Sequence, residues 1–154
     1  IMENKDLKAK SVYLCEQYRR QGFACSESVC RALADIYEIC LSEEIHKVIS
    51  VFAGGAIDDE RCGIIEAGLL ITSLLYDSGR ISEDISLEKI SVEMHRRFEE
   101  KYGGYECKNI FYPLYEQHQK SGLPESEFHC AFHEGIVIII ELLNQMTKER
   151  KEAK

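Results

Sequence analysis

The sequence has only two prolines, Pro113 and Pro124, and it has no internal repeat, low-complexity segment or linker. Nothing divides its 154 residues, so a single domain over 1–154 is expected, with 1–5 and 150–154 frayed. The longest near-apolar run, GIVIIIELL, is shorter than the roughly 20 residues a spanning helix needs, and no membrane partner is expected. Basic residues are in deficit, 19 against 27 acidic ones, a net charge of −8. They form no stripe interleaved with aromatics, so nucleic acid and anionic membrane surfaces are not expected partners. The opening IMENKDLKAK is charged and has no apolar h-region, which makes the cytoplasm the expected compartment. There is no Ser-His-Asp order, no glycine-rich phosphate loop, no HExxH and no CxxC.

What is present is helical periodicity. Leu7, Ser11, Leu14, Cys15 and Tyr18 share one helix face, with Arg19 and Arg20 suited to its C-terminal dipole and Gly22 as its stop. Val29, Leu33, Ile36, Tyr37 and Cys40 make a second face. Ser42 is placed to cap a third helix, which Gly54-Gly55 is expected to stop. From Gly63 to Tyr76 apolar residues occur on all sides, which marks the most buried, central helix. Ser86 caps the next, ending at Gly103-Gly104. A short segment around Cys107–Tyr115 is interrupted by Pro113, and Pro124 with the acidic ESE opens a last helix reaching about residue 149. The β-branched IVIII in that element continues into helix formers and is read as helix rather than strand. The expected fold is all-α, a compact bundle of about six or seven helices around a central apolar helix near 63–76.

Seven cysteines, an odd number in a reducing compartment, are not a disulfide framework. Cys15, Cys30 and Cys40 fall within helical patterns and read as small buried hydrophobes. Cys25, Cys62, Cys107 and Cys130 instead follow loops, in GFAC, DERC, GGYEC and EFHC, and stand at helix starts. Free N–H groups and partial positive charge at a helix N-terminus favour a thiolate. The four are tens of residues apart, so any shared site is assembled by the tertiary fold. Spacing alone leaves one site and four separate buried thiols equally open.

The chain resembles the redox-active protein family named for its cysteine pattern, C_GCAxxG_C_C. GFACSESV resembles the first cysteine segment of that family. FAGG followed by RCGIIEAG resembles its glycine-rich turn and Cys-Gly-Ala-x-x-Gly motif. FEEKYGGYEC resembles the segment before its third cysteine, and FHCAFHEGIVII its fourth. The resemblance implies Cys25, Cys62, Cys107 and Cys130 as the site, the same four picked out by helix starts. Ile64 stands where the family usually has alanine and Ala67 where it has its second glycine, with Gly68 one place later, so close packing there is expected to differ.

The expected function is redox chemistry at four converging cysteines. The first reading is an iron–sulfur cluster held by Cys25, Cys62, Cys107 and Cys130, with electron transfer to a partner protein. A second is a thiol–disulfide enzyme with Cys25 and Cys62 as the catalytic pair, acting on a small thiol or oxidant. A third is a non-catalytic zinc site closed by the same four cysteines, and binding no cofactor at all remains an option. Gly54 and Gly55 are expected to turn the chain beside the site, and Gly63 to admit another backbone. Asp58, Asp59 and Glu60 read as a solvated loop that raises the Cys62 pKa, partly offset by Arg61. Glu66 needs a partner if buried. His133 and Glu134 lie three and four residues after Cys130 on the same helical face; His133 reads first as an inert histidine at a surface turn, and second as a partner that activates the thiol or extends a metal site. His129 and the HRR at 95–97 read as solvated.

Overall fold

The computed structural model describes residues 4–130 and 132–152. Seven α-helices are arranged in the order α1 (Asn4–Arg20), α2 (Cys25–Ile36), α3 (Glu43–Ser50), α4 (Gly63–Asp77), α5 (Leu87–Tyr102), α6 (Cys107–Ser121) and α7 (Phe132–Glu152). The fold is all-α. Among the described residues the one β-type pairing is an isolated antiparallel bridge between Arg61 and Glu106. No described helix is long and apolar enough to cross a membrane. The fraying expected at 1–5 and 150–154 lies partly outside the described residues; 4–5 and 150–152 are helical.

Local chemistry sets the boundaries. The Ser42 side chain accepts the Ile45 N–H at 3.5 Å and that of Ser86 accepts the Lys89 N–H at 3.3 Å, so both serines cap as their positions suggest. α2 ends in a Schellman arrangement: Ile39 N–H donates to the Ala34 carbonyl at 2.8 Å and Glu38 N–H to that of Asp35 at 3.4 Å. This forces Glu38 to φ +52° and ends the helix before Cys40. Cys40 is therefore exposed in a loop, not the buried helical residue its spacing suggests.

α2 packs along α4 in the middle of the molecule, with α1 and α7 completing the layers around them. The IVIII run lies in α7, where Ile136, Ile139, Ile140 and Leu143 keep helical spacing and are all fully buried. α4 is central, but α2 buries eight of its twelve residues against eight of fifteen in α4. The reason is a partly open α4 face, on which Leu69, Leu70 and Leu74 are half-buried and Ser73 exposed. Close packing has moved with the motif. Ala67 is fully buried, and a Cβ on Gly68 would lie 2.8 Å from Ile139 and 3.0 Å from Met94 Sδ, so Gly68 is where α4 meets α5 and α7.

Three further boundaries differ from expectation. α3 stops at Ser50, and Gly54 and Gly55, both at φ +64°, instead lead into a π-helical turn, Gly55–Asp59. Pro113 does not interrupt its segment, which runs as one helix to Ser121. The missing Pro113 N–H forfeits one backbone bond. Burial of Ile110 and stacking of Phe111 on Tyr115, at 5.4 Å between centroids, hold the helix through it. Glu125–Glu127 forms a separate 3-10 turn, and α7 starts at Phe132.

Candidate functional site

The site begins with two backbone bonds. Cys62 N–H donates to the Tyr105 carbonyl at 2.9 Å, and Cys107 N–H to the Glu60 carbonyl at 2.6 Å. These bracket the Arg61–Glu106 bridge and clamp the start of α4 to the start of α6. Cys62 is the N-cap of α4 and Cys107 the first residue of α6. Cys25 opens α2, and Cys130 stands two residues before α7. A Cβ on Gly63 would come 2.3 Å from the Phe52 carbonyl oxygen and 2.9 Å from the Ser26 Cβ. Only glycine admits that approach, which lays the start of α4 against the start of α2 and brings Cys62 towards Cys25.

The result is one cavity of about 260 Å³ lined by Cys25, Cys62, Cys107 and Cys130, with Gly54, Arg19 and the apolar side chains of Ile64, Ile110, Phe111 and Phe128 in its walls. Cys15 and Cys30 are buried in the core and line none of it. Gly63 and Gly55 are also outside the lining. Gly63 acts through the close approach, and Gly55 faces a larger cavity of about 830 Å³ across the bridge, which no cysteine lines. The smaller cavity is the chemically interesting one because the nucleophilic and soft ligand atoms converge there.

None of the seven cysteines is in a disulfide. Cys62 and Cys107 are buried, while Cys25 and Cys130 are half-buried. Burial pushes the Cys62 thiol well above its ordinary value. The neighbouring thiols Cys25, Cys130 and Cys107 push the same way, against the Ile64 N–H, which favours the thiolate. Burial, with Cys25 and Asp59 adding to it, raises Cys107 to about 11. The thiolate-favouring effect expected of the helix starts is thus overturned at these two positions, because desolvation outweighs the partial charge of a helix terminus. In the absence of a bound cation both are neutral thiols.

The surroundings also differ from expectation. Arg61 does not offset the acidic loop; its guanidinium is paired with Glu66 and contacts His95 Nε2 at 3.3 Å. That ion pair is the partner Glu66 requires. Of the HRR segment, His95 packs edge-on against Tyr105 and both arginines pair with Glu93. His133 Nε2 lies 3.0 Å from Glu16 Oε1, and its ring stacks on that of His129. Arg19, Phe111 and Phe128 were not legible as wall residues. Their spacing marks a helix end and aromatic packing, and only the tertiary fold turns them to the cavity.

This burial pattern has two measurable outcomes. In the metal-free protein the folded state holds the Cys62 and Cys107 protons above the ordinary thiol value of 9.0, where the unfolded chain releases them. Stability is therefore intact below that value and falls as pH rises from there through about 11. The urea midpoint drops between about pH 9 and about pH 11, and Cys107→Ser reduces the drop. Secondly, in the folded protein Cys40 is alkylated first by iodoacetamide, being the exposed thiol. Mass mapping of the first adduct checks this, and a first adduct on Cys62 contradicts it.

A family model described as "Putative redox-active protein (C_GCAxxG_C_C)" matches residues 23–140, a span that contains all four cavity cysteines. No curated protein and no solved structure matches the chain.

Proposed function

We propose a function from one premise: the chain belongs to the C_GCAxxG_C_C family, described as redox-active. On this reading Cys25, Cys62, Cys107 and Cys130 hold an iron–sulfur cluster, and the protein passes single electrons to a partner protein. The observation that carries the reading is the convergence on one cavity of four thiols, three from helix starts and one from the segment before α7.

The cavity fits such a group in three respects. It offers four soft ligands, the number a thiolate-bound cluster takes. Its volume of about 260 Å³ exceeds what one ion occupies. Zinc at about 2.3 Å from four sulfurs needs them about 3.8 Å apart. Among the described residues the ligand atoms gathered within 4.8 Å of one another are those of Glu16, His129 and His133, not three of these sulfurs. A multi-atom core, which sits between its ligands, suits the wider arrangement. Finally, Arg19 supplies a positive charge in the wall, matching the net negative charge of a thiolate-bound cluster.

When bound, the cluster supplies one-electron chemistry at a potential set by charge, hydrogen bonding and exposure. The protein's own residues have distinct tasks. The four sulfurs lose their protons to become ligands, so loading releases protons and strengthens as pH rises. Ile64, Ile110, Phe111 and Phe128 exclude water, while the clamp at 60–62 and 105–107 fixes two of the sulfurs. The dithiol-enzyme reading fits less well, because a buried Cys62 with a raised pKa is a poor attacking thiolate.

Purification without oxygen, with iron, acid-labile sulfide and zinc analysis and a visible spectrum, tests this. Iron and sulfide in brown protein are expected. Colourless protein with one zinc that is lost in Cys62→Ser supports the structural reading. Metal-free protein that forms a Cys25–Cys62 disulfide on oxidation supports the dithiol enzyme.

A further inference from the structure

A second set of ligand atoms lies behind the cysteine cavity. Glu16 on α1, His129 in the segment before α7 and His133 in the first turn of α7 bring one carboxylate oxygen and two imidazole nitrogens within 4.8 Å of one another. We propose that these three residues form a mononuclear site for a divalent first-row transition metal ion, distinct from the four thiols.

The donor set has definite chemistry. Two imidazoles with one carboxylate suit zinc or iron(II), whereas calcium and magnesium prefer all-oxygen shells. The geometry is close to what an ion requires. With metal–nitrogen and metal–oxygen distances of about 2.0–2.2 Å, neighbouring ligand atoms sit roughly 3–3.5 Å apart. Glu16 Oε1 and His133 Nε2 already stand at 3.0 Å. His129 stacks on His133 with ring centroids 4.3 Å apart, which holds one of its nitrogens within 4.8 Å of the other two ligand atoms.

The open side of the cluster is a cavity of about 340 Å³. Arg19 and Arg20 in its wall oppose a cation, and Glu125 and Glu127 in the same wall balance them. Arg19 and Phe128 also line the cysteine cavity, so the two sites share a wall. His129 and His133 bracket Cys130 in sequence. An ion here would tie α1 to the segment that presents Cys130, and so steady the fourth thiol of the redox site.

Cobalt(II) titration of metal-free protein tests the site, because thiolate-bound cobalt shows intense sulfur-to-metal charge transfer and a nitrogen–oxygen site shows only weak d–d absorption. Wild type is expected to bind one cobalt more than either His129→Ala or Glu16→Gln. The missing ion carries no charge-transfer intensity, is displaced by zinc, and is retained in Cys62→Ser. The affinity loss in each variant exceeds about 10-fold, the least that a change in the outer shell alone produces. His129 is exposed, so His129→Ala keeps its fold and far-UV circular dichroism confirms it. Equal cobalt stoichiometry and affinity in wild type and both variants overturns the proposal and leaves Glu16–His133 as a close side-chain contact only. Charge-transfer intensity in the lost ion, removed by Cys130→Ser, overturns it in favour of a site extended from the thiols.

Discussion

Cys62→Ser is expected to abolish cofactor binding while the far-UV circular dichroism stays that of the wild type. Serine keeps the size of the side chain and removes the soft sulfur ligand. Cys62 is central to the site. It caps α4, its N–H is bound to Tyr105, and its thiol is influenced by those of Cys25, Cys107 and Cys130. The fold survives because a chain of this size buries an extensive apolar core of its own, reaching from α1 to α7. Cys30→Ser provides the opposite case. Cys30 is fully buried on α2 and outside the cavity, so a serine hydroxyl in its place needs a partner in an apolar setting. It costs about 1–3 kcal/mol of stability and leaves the site chemistry intact. Metal content and the denaturation midpoint of the two variants separate the roles. Equal chemistry in both removes the special status of Cys62.

Gly63→Ala is expected to damage both fold and site. Its added Cβ would meet the Phe52 carbonyl oxygen at 2.3 Å, a backbone atom that no rotamer change moves aside, and the Ser26 Cβ at 2.9 Å. Relief requires the start of α4 to move away from α2 and the turn after α3. That movement separates Cys62 from Cys25. The overpacking costs about 1–3 kcal/mol or more, and cofactor loading falls with it. A lowered urea midpoint together with reduced loading is the predicted result. An unchanged midpoint would show that the approach is not tight.

The same glycine shows what the sequence made legible. A thiol next to glycine at the edge of an apolar helix implied a close backbone approach, and that approach is present at Phe52. Ser42 and Ser86 were readable as caps because capping is local chemistry, and IVIII was readable as helix from the helix formers in ELLNQMTKER after it. Features set by tertiary burial were not readable. Cys40 keeps helical spacing with Val29 and Leu33, but the left-handed Glu38 ends the helix first. Pro113 looks like a breaker until Ile110 and Phe111 are seen to be packed. The direction of the Cys62 and Cys107 shifts depended on desolvation, which no motif reports. His129 and His133 are four residues apart, but their grouping with Glu16 joins distant parts of the chain, which no local spacing reports.

The central claim is that four cysteines act as one site, and site-resolved alkylation tests it most directly. The protein is loaded with iron and sulfide without oxygen, treated with iodoacetamide, and mapped by mass spectrometry beside the unloaded form. Cys25 and Cys130 are the informative thiols, being half-buried and carried by different elements, and Cys40 is the internal control. The account predicts that loading slows alkylation of Cys25 and Cys130 together, to the same extent and at the same stoichiometry, with Cys40 unchanged and the protection lost in Cys62→Ser. Full loading with either Cys25 or Cys130 as reactive as in the unloaded protein would contradict it.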